Sequence, residues 1–498
     1  MHLLMVPART TGSPPTRVLT WDLLFYLGCL AFALITAFVS EFYGYRIWGA
    51  FAIAGYGLAA AHSGWLLVSA RRYRYRPDDP GNPGGSGAHR PGNDGRLGTS
   101  GDLGKFGKFG GSGSLGRFGN FGRFGRLGRF SAHRPAGPGS RWLGIGAIGL
   151  LAMLCPLVVL VIRRLTGVDW LITPGSWAAQ PEVWVIERSA TLLLQHGTPY
   201  VDVTALDRPP EVNDYTPYGP VMALFGLPRA IFGGNPVTDA LTDARWMFAL
   251  AAVACVLGAL RLLHRPRIPV LSAQLVLACP LTALTWAVAG PDLAIAGLLV
   301  LACALAATGR AGWSGFVLAL VISAKLIVAP AFAVLAVLIW VQAGKKTAGR
   351  AALGRFVTTV AGTTLVLHLP VYLVDPRAFT EHVLRFPLGM GVVHSPAASP
   401  LPGHLLAELG PAGRVLALVL VGLAAVAMLV WLARRPPATG SAALVRIAVG
   451  LGALILLTPA TRYGYLVYPV ILLGAALTFR AAGPLRPPRS DLGSATSS

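Results

Sequence analysis

The chain has 498 residues, of which 54% are hydrophobic and only 12% charged, and its formal net charge is +22. That balance excludes a soluble globule and describes a polytopic membrane protein, each crossing of which needs about 20 apolar residues. The basic excess does not imply nucleic acid, because cytoplasmic connectors of membrane proteins carry surplus Lys and Arg and no nucleic-acid recognition motif accompanies the charge.

Apolar runs predict an all-α polytopic fold with about 12 transmembrane helices, near 21–40, 47–69, 142–162, 244–262, 267–289, 291–309, 312–328, 329–342, 353–374, 411–433, 443–459 and 463–479. The first run is long enough to span, so it reads as a retained anchor rather than a cleaved leader. With the second it makes an appended two-span hairpin over 1–69. Residues 70–141 hold 14 Lys/Arg against four Asp/Glu, around a repeat of basic or polar residue, Phe or Leu, and Gly. Such glycine density predicts a disordered cytoplasmic linker, either neutral or adhering to anionic lipid. The working module is then 142–480, followed by a cytoplasmic tail, 481–498.

Arg163 and Arg164 follow the third span and read as snorkelling cations or a lipid-phosphate contact. They open the 163–243 loop, which has nine Asp/Glu, five Arg and no Lys, although the whole chain has only 20 acids. Within it, Pro181-Glu182 starts an amphipathic helix that Gly197 closes. Glu187 and Arg188 are expected to pair or face water. Residues 213–220, reading NDYTPYGP, form a rigid aromatic corner, and 220–233 are too short to cross, so they read as a re-entrant or interfacial helix. The seventh and eighth runs are one stretch that is expected to break at Ala329-Pro330.

With a cytoplasmic N-terminus, RRYRYR, HRPR, GKKTAGR and RRPP all fall inside, while the acidic loops 163–243 and 375–410 fall outside. Asp292, Lys325 and Arg462, on three different spans, then share the membrane level of the loop acids. Ionisable residues at such positions default to function. Lys325 and Arg462 suit a phosphate, and Asp292 suits a cation or sugar hydroxyls. The 375–410 loop contains His382, His394 and His404, whose spacing matches no compact metal motif. It reads as a cover over the site, with His394 touching substrate. Cys29, Cys155, Cys255, Cys279 and Cys303 all lie in apolar runs and read as buried thiols.

The order of an acid, about 15 residues of amphipathic helix, Gly197-Thr198-Pro199-Tyr200, and then Tyr215-Thr216-Pro217-Tyr218-Gly219-Pro220 resembles the first extracytoplasmic loop of glycosyltransferase family 87. Gly290-Pro291-Asp292, Ser323-Ala324-Lys325 and Arg462-Tyr463-Gly464-Tyr465 are similar to later signatures of that family. The resemblance covers about 145–480. It implies a GT-C-like membrane enzyme, similar to actinobacterial polyprenol-phosphate-mannose-dependent mannosyltransferases. It also implies an Asp at the head of the loop helix as catalytic base. The matching position here is Glu182, with Asp169 as the other candidate. Trp184, Tyr215 and Tyr218 are expected to shape the sugar and acceptor cavity. The partners implied are a polyprenyl-phosphate sugar, a lipid or glycan acceptor and the membrane, with no metal or other cofactor required. The absence of a Rossmann-like domain argues against a nucleotide-sugar donor. The alternative from the intramembrane charges alone is a transporter or lipid flippase, although no inverted repeat is visible.

Overall fold

The computed structural model describes residues 16–74, 140–166, 178–344, 347–387, 389–393 and 397–483. Most of the basic linker, the tail, Asp169 and His394 lie outside the described residues. The fold is all-α: no strand forms among the described residues, and one isolated bridge joins Ala398 to Thr461. Helices suit an apolar chain in lipid because each one satisfies its own backbone polar groups.

The principal helices in order are α1 (Thr16–Val39), α2 (Tyr43–Arg74), α3 (Trp142–Thr166), α4 (Pro181–His196), α5 (Pro220–Phe232) and α6 (Ala244–Leu262). There follow α7 (Val270–Ala278 and Pro280–Val288), α8 (Pro291–Ala307), α9 (Ala311–Ala324), α10 (Ala331–Ala343) and α11 (Thr347–Val374). The last three are α12 (Pro411–Arg434), α13 (Gly440–Leu457) and α14 (Val467–Ala481). Every one of the twelve apolar runs therefore forms helix. Nine stretches among the described residues are long and apolar enough to cross a membrane, and α7, bent by 41° at Pro280, makes a tenth.

The remaining two runs give short helices of 17 and 14 residues, α8 and α9. At 1.5 Å per residue they fall short of the ~30 Å apolar thickness. Their burial explains why this is tolerated: 14 residues of α8 are buried, so it is a central strut shielded by other helices. The break after α9 also differs from expectation. Helix ends at Ala324, Lys325 is extended (φ −152°, ψ 115°), and Pro330 caps the start of α10 instead of ending a helix. The proline sits where its missing N–H costs nothing, and the lysine is what leaves the helix.

The N-terminal hairpin is packed into the bundle. Trp48 and Tyr56 are fully buried. Their polar tips donate to the carbonyls of Ala152 (2.8 Å) and Ala278 (2.9 Å). Asp22 accepts from Arg141 at 2.6 Å and from Gln274 at 2.9 Å.

Candidate active site

Helix α4 lies between the third and fourth predicted spans and begins as its sequence requires. Gln180 is extended, Pro181 takes the first helical position, and Glu182 falls in the first turn. Gly197, at φ 72°, closes the helix and donates its N–H to Leu193 at 3.0 Å. Val183, Ile186 and Ala190, spaced three and four apart, are fully buried and dock the helix on the bundle.

A buried ion network fixes that docking. Arg164 donates to Glu187 on α4 at 2.9 Å and to Asp243 at the start of α6 at 2.5 Å. Glu187 also takes the Ala244 N–H at 3.0 Å and Arg229 at 3.1 Å, and Asp243 holds Arg245 at 2.8 Å. Arg164 is thus a buried structural cation rather than a headgroup contact. Glu187 and Arg188 neither pair nor face water. Arg188 donates to the Asp214 carbonyl at 2.8 Å and lies 4.6 Å over the Trp184 ring. A buried ion pair survives only with such surrounding hydrogen bonds.

At the head of α4, Arg462 Nη1 donates to Glu182 Oε1 at 2.5 Å. The other oxygen, Oε2, is buried and has no hydrogen-bond partner. Lys325 Nζ donates to Asp292 Oδ1 at 2.6 Å, and the Tyr468 hydroxyl donates to the same oxygen at 2.5 Å. Tyrosine rings surround the lysine, with Nζ 4.4 Å from the Tyr465 centroid, 5.7 Å from Tyr218 and 5.8 Å from Tyr468. Tyr218 lies within electrostatic range of both pairs. Glu182, Asp292, Lys325, Arg462 and Tyr218, which the sequence marked separately, therefore converge at one end of the bundle. Arg462 is the accessible member: its side chain is 38% exposed, against 11% for Lys325.

Backbone packing sets this geometry. A Cβ on Gly219 would stand 1.9 Å from the Ser323 carbonyl oxygen. Only glycine lets the 213–220 corner press against the point where α9 breaks, and the same contact brings Tyr218 to Lys325. The Tyr200 hydroxyl donates to the Tyr218 carbonyl at 2.9 Å and holds the corner from behind.

Two expected residues are not in this group. Tyr215 faces the second loop: its hydroxyl donates to Glu381 at 2.9 Å and its ring stacks on Phe386 at 4.1 Å. Trp184 lies two residues from Glu182, about 200° around the helix, and carries Arg188. Four residues without an expected role do belong. Tyr465 and Tyr468 cage the lysine, and Gln180 contacts the Tyr45 hydroxyl at the tip of the N-terminal hairpin. The i, i+3 spacing of Tyr465 and Tyr468 was visible beside Arg462. Nothing local marked Tyr45.

The second loop ties the parts together. The Thr216 N–H donates to His382 Nδ1 at 2.9 Å, so Nε2 carries the proton and donates to the Val201 carbonyl at 2.7 Å. Both ring nitrogens are thereby committed to backbone. Burial pushes His382 from 6.5 down to about 4, so the ring is neutral near pH 7. Further along, Ser399 N–H donates to the Thr461 carbonyl at 3.0 Å, next to Arg462. The loop is a brace between the aromatic corner and the arginine.

The model of glycosyltransferase family 87 matches residues 215–459. That span contains Tyr218, Asp292 and Lys325, while Glu182 and Arg462 lie outside it. No curated protein and no solved structure matches the chain.

Proposed function

The chain belongs to glycosyltransferase family 87 and is a membrane glycosyltransferase; on that premise we propose that it transfers a sugar, mannose by preference, from a polyprenyl-phosphate donor to a lipid or glycan acceptor with inversion. The observation that carries this reading is the pairing at the head of α4. One oxygen of Glu182 is held by Arg462 while the other is buried and unpartnered.

In this reading Glu182 Oε2 takes the proton of the acceptor hydroxyl as its oxygen forms a bond to the anomeric carbon. The bond from that carbon to the donor phosphate breaks, and the electron pair leaves with the phosphate. Lys325 and Arg462 stabilise the charge that develops there, Arg462 through paired N–H donors. Two cations already face the leaving group, so the reading requires no metal. Tyr218, Tyr465 and Tyr468 form aromatic walls beside the lysine.

Each cation rests on a carboxylate, so the cluster of two acids and two bases is close to neutral before the donor arrives. A phosphate entering it draws Arg462 toward itself and loosens its hold on Glu182, freeing that carboxylate for the acceptor hydroxyl. Donor binding thereby prepares the base. In this reading the cation-rich connectors lie in the cytoplasm, at the opposite end of the bundle. The site then faces outward with both termini inside, and a lipid-linked donor reaches it from the outer leaflet.

The test is transfer in membranes from labelled polyprenyl-phosphate mannose, with polyprenyl-phosphate arabinose as the competing donor, followed by the anomeric configuration of the product. Inverted mannosyl product supports the reading. Retained configuration removes the single-displacement mechanism, and preference for the pentose removes the assignment of mannose.

A further inference from the structure

Far from Glu182, another buried arginine lies within a helix and pairs with no acid among the described residues. Arg446 is the seventh residue of α13, about 9 Å from Gly440 and about 16 Å short of Leu457, where the chain turns toward the site. It is only 8% exposed. Nη1 donates to the Ala442 carbonyl at 2.9 Å, Nη2 donates to the Arg435 carbonyl, and the guanidinium lies 4.7 Å over the Trp431 ring. Nε is buried and has no partner. None of the described carboxylates pairs with this guanidinium, whereas Arg164, Arg245, Lys325 and Arg462 each hold one.

The side chain also borders a cavity of about 230 Å³ between α10, α12 and α13. Val334, Met428, Leu432, Gly450 and Leu451 form much of its wall, and Arg446 is its one charged residue. The adjoining connector adds exposed Arg434 and Arg435 and has no acid through residue 442. A guanidinium without a carboxylate partner suits an anion, and an apolar groove ending at a basic group fits a molecule with an acyl chain and an anionic head. The flanking face of α12 exposes Leu418, Val426 and Leu429, so such a molecule enters sideways from the bilayer.

We propose that this groove is a binding site for one anionic phospholipid of the leaflet opposite the Glu182 site. Its phosphate lies against the Arg446 guanidinium and the Arg434–Arg435 pair, and an acyl chain fills the space between α12 and α13. The site is independent of the glycosyl-transfer reading.

The test reconstitutes the full chain in phosphatidylcholine nanodiscs with a minority of phosphatidylglycerol, re-extracts it in mild detergent and measures retained lipid by mass spectrometry. Wild type is expected to keep about one phosphatidylglycerol per chain, and Arg446→Gln roughly tenfold less. Ala425→Phe, which fills the groove and leaves the arginine in place, is expected to lose it as well. Equal phosphatidylglycerol on wild type and Arg446→Gln overturns the proposal, as does retention in the proportions supplied. If Arg446→Gln does not elute as a folded protein, Ala425→Phe decides alone, and wild-type retention by that variant overturns it.

Discussion

Glu182 and Arg462 lie 280 residues apart in sequence and meet at 2.5 Å, the one joining the loop helix to the start of the last helix. The proposed base assignment rests on this contact. It commits one carboxylate oxygen to a cation and leaves the other without a hydrogen-bond partner.

Arg462→Lys keeps the charge and removes the planar pair of donors. If Arg462 grips the leaving phosphate, this variant is expected to raise donor KM and to lower kcat by about tenfold, because Lys presents a point charge. Steady-state kinetics on the purified enzyme check it. An unchanged kcat would assign the arginine to anchoring Glu182 alone.

Lys325 and Asp292 separate folding from chemistry. Removing one member of a buried pair leaves the other uncompensated and costs about 3–5 kcal/mol. Lys325→Met alone is therefore expected to melt well below wild type. Lys325→Met with Asp292→Asn is expected to recover most of that stability in detergent while remaining inactive. A double variant that recovers activity would make the pair purely structural.

His382 gives a pH signature. Its folded value is depressed from 6.5 to about 4 by burial, so the unfolded chain binds a proton that the folded chain refuses. Its contribution to stability is complete above about pH 6.5 and is lost as pH falls through about 4. Thermal unfolding followed across that window is expected to show a steeper acid decline for wild type than for His382→Gln. Parallel curves would remove His382 as the source.

Tyr215 is expected to act through the brace. Tyr215→Phe deletes its hydrogen bonds to Glu381 and Val393 but leaves the ring stacked on Phe386. The expected outcome is an activity loss of only a few-fold, with earlier proteolysis at Arg385; the net worth of such bonds is about 1 kcal/mol each. Complete loss of transfer would instead return Tyr215 to the sugar cavity.

Local chemistry was readable wherever it is decided within a few residues. Gly197 closes α4 because only its left-handed backbone fits there, and all twelve apolar runs are helical. The charges at Asp292, Lys325 and Arg462 stood out because each is costly where it lies. What sequence could not show was set by distant partners. The break after α9 moves to Lys325 because that residue reaches Asp292, 33 positions earlier. Arg164 turned out to be buried because Asp243 and Glu187 wait for it. Tyr215 and Tyr218, three residues apart, point to different neighbours because Gly219 pins the corner on Ser323.

The most direct measurement compares transfer of labelled mannose from polyprenyl-phosphate mannose by wild type, Glu182→Gln and Asp169→Asn in membranes at matched protein levels. Loss of a general base lowers rate by about 10²–10⁴-fold. The account predicts a loss of that size for Glu182→Gln, with Asp169→Asn within a few-fold of wild type. Full activity of Glu182→Gln, or loss in Asp169→Asn alone, would contradict it.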